Sequence, residues 1–460
     1  MMDWSIWNHL VLQLSHHEPF IHDSIVAIGA LSKALEIDEA LSKADTNAQA
    51  LSKMAKLHKE FAHLKYGKAV QTINSSLARL ELRQVLVACL LIYCFEVLLN
   101  NRHLALSHVV SGHRMLQEWL IRYDQKASGN RTLHSPNPTT VDDELIDVFH
   151  RMDLQISTMY DSRPIELHRA TIRQGLRTVQ QMPLRFNDLI EARGYLLVIM
   201  RRSYHFLATT WSSSQASCLV RAFEMVPPNN VIVTAGSNIY ATSYKVSNKI
   251  RAEQKEFYED ISQWLQAFQP LYQKTQQPEI YGFRNHVIGA LIRIHAISTA
   301  IVIAGVLFTK ETSYDSFLSE FQDIFSLATI VVDAYRKKSS QTMPSEAGYF
   351  LDLGITSPLY LLVARCRDHS LRANAIELLR GWHVEACWQP SLIASIGDFL
   401  MEVEEYGNTD VVIPDKMRAV ITAVCDEPQQ NGKREALIQC VQRYGGPNGE
   451  PVWHERKVRY

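Results

Sequence analysis

The chain has 460 residues, 47% of them hydrophobic, so it can bury a sizeable core, and length alone allows two or three domains. Lys and Arg number 47 against 48 Asp and Glu, a net charge of −1 with no long run of like charge, which excludes an overall electrostatic case for nucleic acid or anionic lipid. Seven cysteines are scattered with no C-x-x-C pair, which excludes the common zinc-module spacings and points to reduced thiols.

Helical periodicity dominates from the start. Apolar residues recur at three- and four-residue spacing over 21–35, after a Pro19 that suits a helix start. Further helices are predicted over 58–80, 82–99, 102–122, 142–159, 187–212, 249–268, 283–309, 313–337, 357–365, 369–380 and 390–406. Two more are placed near the end, at 415–424 and 434–444. "NVIVTA" at 230–235 is the only good strand candidate, and "DVVIP" is too short to count. Pro/Gly/Ser/Asn-rich loops fall near 125–140, 226–230 and 425–433, none long enough for an interdomain linker. No fixed-period repeat is present. The expectation is one large, irregular all-α domain covering 1–460.

Two apolar stretches, 85–99 and 287–308, are weighed as membrane spans, which need about 20 apolar residues, more than the first stretch has. The first holds Glu96 and the second Arg293 and His295, and a mid-span charge is expensive. Both are read as core helices, so no membrane span is expected. The N-terminus lacks the basic, apolar and cleavage regions of a signal peptide, which favours the cytosol.

Several ordered segments resemble the regulatory domain of fungal zinc-cluster (Zn2Cys6) transcription factors. They are a Trp followed by "LVLQLS" and "EPFIHDSIVAIGAL", then "YCFEVLLNNRHLALSHVVSGHRML", "FHRMDLQISTMYDSRP" and "MPLRFNDLIEARGYL". The most specific is "DLGITSPLYLLVARCRDHSLRANAIELL", followed by "EACWQPSLIASIGDFLMEVEE" and a closing "WHERKVRY". In that segment Leu359, Leu362 and Val363 share a helical face. Arg365, Arg367 and Arg372 flank Asp368, which suggests an ion-pair network at the helix joint. Arg151, Asp153 and Gln155 do not share a face and are expected to fix helix packing.

The resemblance implies a large helical fold and a role in dimerisation, with itself or a relative, and in effector response. The six-cysteine DNA-binding module of that family is missing, so direct nucleic-acid binding is not expected. Two functions follow as expectations, beside that of a pure ligand-binding or interaction protein with no turnover. One is a standalone biosynthetic protein that holds reactive, apolar polyketide or terpenoid intermediates in a cavity. It would promote a pericyclic step, such as an intermolecular hetero-Diels–Alder addition, without cofactor. The other is a transcriptional co-regulator, acting in the nucleus through a DNA-binding partner.

No G-x-S-x-G, H-E-x-x-H, Walker loop or G-x-G-x-x-G occurs, so no cofactor is expected. His103, His108 and His113 are spaced by five, which does not align ligands on one helical face. "SHHEPFIHD" at 15–23 is read as capping and solvated contacts, so no metal site is assigned. Polar residues inside apolar helices are the better candidates. Arg293, His286 and Tyr160 are assigned as donors to a substrate carbonyl. Tyr93, Glu96, His295, Trp264, Phe283, Tyr349 and Trp382 are assigned to the cavity wall.

Overall fold

The computed structural model describes residues 6–43, 48–99, 101–124, 134–158, 161, 163–214, 246–339, 352–382, 385, 388–408, 412–428, 434–444 and 450–460. The class is all-α, with one small three-stranded sheet. The chain divides into two compact units, Met1–Asp153 with Lys338–Asp352, and Leu154–Lys337 with Leu353–Tyr460. The candidate strand at 230–235 and the loop at 226–230 lie outside the described residues.

In the first unit a π-helical turn, Ile6–Val11, leads into α1 (Leu12–His17), α2 (Pro19–Lys43) and α3 (Ala48–Ser76). Pro19 starts α2 where its missing N–H goes unused. On α3, Ala55, Ala62 and Ala69 recur every seventh residue and are buried. Ala62 packs with Ala27 and Leu31 of α2 and with Phe95 and Leu98 of α4 (Leu82–Leu98). Lys65 and Lys68 of α3 pair with buried Asp23 of α2 at 2.9 and 3.0 Å. Burial alone would raise the Asp23 carboxyl, but the two ammonium groups outweigh it and hold it below its usual range. A capping box between Glu81 and Gln84 opens α4, which is buried from Leu86 to Leu98 and therefore apolar on every side. Then come α5 (Arg102–Asp124) and α6 (Asp143–Ser157), whose start is tied to α4 by a two-pronged Arg83–Asp142 pair of 2.7 and 2.9 Å. The boundary between the units falls inside α6.

The second unit begins with α7 (Ile165–Arg173) and α8 (Leu176–Gln180), which the sequence did not suggest. It continues with α9 (Leu189–Ser214), α10 (Asn248–Thr275), α11 (Pro278–Tyr281) and α12 (Phe283–Gly305). A 3-10 turn at Glu311–Phe317 precedes α13 (Leu318–Ser339), α14 (Thr356–Arg365), α15 (His369–Arg380) and α16 (Pro390–Glu405). The predicted end of α10 at 268 is corrected to Thr275. Pro270 sits inside the helix and withholds one N–H, yet the last turns persist. Phe268 packs on Tyr272, and Arg293 of α12 stacks on the Tyr272 ring at 4.5 Å.

α12 packs against α9, α10 and α14. By length and composition alone it is apolar enough to cross a bilayer, and 67% of its most apolar stretch is buried inside the protein. That burial explains its hydrophobicity as a core helix does.

The two helices expected near the end are corrected to strands. β1 (Ala419–Pro428), β2 (Arg434–Tyr444) and β3 (Glu450–Arg459) form an antiparallel sheet in the order β1-β2-β3. β1 is buried at every position from Ala419 to Cys425, so it shows no polar–apolar alternation. A register shift between Ile421 and Ala423 leaves Thr422 as the extra residue. In β2, Ala436, Ile438, Cys440 and Gln442 form the buried face. The Gln442 amide donates to the carbonyls of Val403 and Met417 at 3.3 and 2.5 Å, which joins the sheet to the end of α16.

Candidate functional site

The residues selected from sequence fall into several environments. In the first unit Tyr93 and Glu96 lie buried on α4. Glu96 accepts hydrogen bonds from the Tyr66 hydroxyl at 2.6 Å and the Asn101 amide at 3.0 Å, and Tyr66 stacks on Phe95 with ring centres 4.0 Å apart. These contacts join α3 to both ends of the α4–α5 connection. Half-buried His108 of α5 is shifted below its ordinary value by burial, with the Glu96 charge acting in opposition.

In the second unit, Arg293 donates to the Gln269 side chain at 2.8 Å and stacks on Tyr272. The His286 ring meets the Thr275 carbonyl at 2.9 Å, so it closes the end of α10. Phe283 is about half exposed beside His286. Trp264 is fully buried, donates to the Ala192 carbonyl at 2.9 Å and stacks on Phe268. Trp382 donates to Glu385 at 3.0 Å and packs edge-on against Tyr335. Tyr160 and Tyr349 lie outside the described residues. Of the whole set, His295 lines the pocket described next.

That pocket lies within the second unit and holds about 770 Å³ of empty space, part of it open to solvent. One wall is α12, from His295 through Ser298 and Val302 to Gly305. The facing wall is the start and inner side of α14, with Leu353, Ser357, Tyr360, Leu361 and Arg365. Thr158, Tyr204, Tyr314 and Trp388 complete it. The α14 wall is built by the segment "DLGITSPLYLLVAR", the opening of the most specific motif in the sequence.

His295 is held in place by a 3.1 Å contact between Nε2 and the Leu353 carbonyl. Burial pushes the Tyr204 hydroxyl up to about 12, against the opposing effect of a hydrogen bond with Thr299. Burial also raises Tyr314, with the Arg365 charge working against it. Both phenols are therefore neutral at physiological pH and able to donate hydrogen bonds. The Trp388 and Tyr360 rings lie 5.7 Å apart, tilted by 32°, and give the pocket an aromatic wall. Trp388 donates to Thr158 at 3.4 Å, and Thr158 donates to the Gln155 carbonyl.

Arg365 carries the one formal charge that is fixed on the described walls. Burial would lower its affinity for a proton, but Glu311 at 2.6 Å more than compensates. Behind it runs a buried ionic chain. Arg367 bridges Glu311 at 3.3 Å and Glu404 at 2.7 Å, and Arg372 reaches Glu404 at 2.6 Å. Glu404 also accepts from the Ala419 N–H at 2.7 Å, and Arg418 forks onto Asp315 with two bonds of 2.7 Å. The expected network around Asp368 is thus corrected. Asp368 caps α15 by accepting from the Leu371 N–H at 2.8 Å, and the three arginines take partners far away in sequence.

Among the described residues, no group of three or more His, Cys, Asp or Glu side chains is arranged to hold a metal ion. No protein-family model, no curated protein and no solved structure matches this chain.

Proposed function

We propose that the second unit binds a small, largely apolar molecule in the pocket between α12 and α14. The observation that carries this reading is the wall chemistry. Aromatic and aliphatic side chains alternate with neutral hydroxyls, and no carboxylate, thiol or lysine lines the described surface. Such a site suits recognition by shape with a few orienting hydrogen bonds.

In this reading the chain acts on its ligand by positioning. A pericyclic addition between two apolar reactants asks for a near-attack pose, exclusion of water and one or two donors on a carbonyl. Tyr314 and the aromatic Tyr360–Trp388 wall are suited to that task. Of the donors assigned from sequence, Arg293 is engaged with Gln269 and His286 with the Thr275 carbonyl, and neither lines the pocket.

A second reading is favoured by the origin of the α14 wall. Its motif resembles the regulatory domain of fungal zinc-cluster transcription factors, so the same pocket would serve as an effector site in a co-regulator that works through a DNA-binding partner.

The test is incubation of the purified chain with an organic extract of a fungal culture, analysed by mass spectrometry beside a Val302→Trp variant. A compound consumed with formation of an adduct supports the first reading. A compound retained unchanged supports the second. Equal retention by both proteins removes the pocket from consideration. Deletion of the gene separates the readings in vivo. Loss of one metabolite with steady transcripts marks an enzyme, and collapse of transcripts marks a regulator.

A further inference from the structure

Polar side chains on a pocket wall usually satisfy one another, and one left over points at what the pocket takes. Ser298 donates to the Ile294 carbonyl at 2.7 Å, and Trp388 donates to Thr158, which donates to the Gln155 carbonyl. His295 meets the Leu353 carbonyl, Tyr204 is bonded with Thr299, and Arg365 is paired with Glu311. Tyr314 lies under the Arg365 guanidinium, and Tyr360 also has an interaction within the protein. Ser357 differs. It is half-buried in the first turn of α14, lines the pocket, and its hydroxyl makes no hydrogen bond among the described residues.

The charge pattern adds a second constraint. No carboxylate lines the described walls to meet a cation. The one guanidinium is held 2.6 Å from Glu311, so an anion would have to share it with that carboxylate. A charged ligand would lose its hydration without an unshared counter-charge in return.

We propose that the pocket takes a neutral molecule whose hydrogen-bonding oxygen is held by the Ser357 hydroxyl while its apolar body lies against Tyr360 and Trp388. This inference rests on the pocket being a ligand site. It makes Ser357 the specificity-determining residue and sets the ligand class as uncharged and oxygen-bearing with an apolar body.

The test uses the full chain and four naphthalene probes in calorimetric titrations. They are naphthalene, neutral 2-naphthol, anionic 2-naphthoate and cationic 2-naphthylmethylammonium. The wild-type chain should bind 2-naphthol about tenfold more tightly than naphthalene. Both charged probes should bind more weakly than 2-naphthol by about tenfold or more. Ser357→Ala should bring 2-naphthol down to the naphthalene level and leave naphthalene unchanged, with an unaltered helical circular-dichroism spectrum as the folding control. If the charged probes bind as well as 2-naphthol, or if Ser357→Ala leaves 2-naphthol affinity intact, the inference is overturned and the pocket stands. If neither naphthalene nor 2-naphthol binds the wild-type chain, the pocket reading falls and takes the inference with it.

Discussion

Arg372 donates to Glu404 across 2.6 Å with neither side chain exposed to solvent. Glu404 holds Arg367 and the Ala419 N–H as well, so one carboxylate joins the α14–α15 connection, α15, α16 and the first strand. Glu404→Ala leaves two buried guanidinium groups without their shared counter-ion. The expected loss is about 3–5 kcal/mol, the size seen when one partner of a buried pair is removed. Urea unfolding followed by circular dichroism measures it. Glu60→Ala, which breaks the exposed Lys56–Glu60 pair, should change stability by no more than about 1 kcal/mol. Equal effects at the two sites would contradict the assignment.

Gly305 marks a close approach at the pocket wall. A Cβ there would overlap the Tyr314 hydroxyl and sit 2.7 Å from Tyr314 Cε1. Tyr314 is itself pinned between Phe308, edge-on with ring centres 5.1 Å apart, and the Arg365 guanidinium. Gly305→Ala should therefore cost about 1–3 kcal/mol through overpacking. It should also disturb ligand affinity, since Tyr314 lines the same pocket. A variant with unchanged melting temperature and unchanged probe binding would refute the close approach.

A buried histidine pair predicts a pH dependence. His168 Nδ1 lies 2.8 Å from His205 Nδ1, and His168 Nε2 lies 3.9 Å from Asp161, which is clasped by Arg163 at 2.5 Å. The tautomer that suits this arrangement puts the His168 proton on Nε2, toward the carboxylate, with His205 donating to His168 Nδ1. Burial pushes His168 down to about 4 from 6.5; the charge of Asp161 acts against this, and His205 and Arg163 add to it. A depressed histidine contributes stability in full above its unfolded value. That stability is lost as pH falls from about 6.5 toward 4, amounting to on the order of 3 kcal/mol. Unfolding midpoints at pH 7 and pH 5 should differ accordingly, and His168→Gln should flatten the slope. A midpoint independent of pH across this window would contradict the pairing.

The helices were legible because their apolar residues keep a 3.6-residue period, and α12 and α14 were placed to within a few residues. The terminal sheet was not. In β2, Ala436, Leu437, Cys440 and Val441 fall at helical spacing although the strand buries alternate residues, and in β1 burial on both faces removes the alternation that marks a strand. The site was legible at one position. His295 and Arg293 were both chosen as polar residues in an apolar helix, but two residues on a helix turn the side chain by about 200°. One faces the pocket, and the other faces Gln269 and Tyr272. The ionic chain behind Arg365 was hidden for another reason, since its partners Glu311 and Glu404 are distant in sequence and nothing local signals them.

The most direct test of the central claim is photolabelling of the full chain with 4-(hydroxymethyl)benzophenone, a neutral, oxygen-bearing aromatic probe, followed by peptide mapping. Adducts are expected on the α12 and α14 peptides that carry Val302 and Leu361, and they should disappear in Val302→Trp. Adducts confined to other segments, or undiminished in that variant, would show that this pocket is not where the protein takes its ligand.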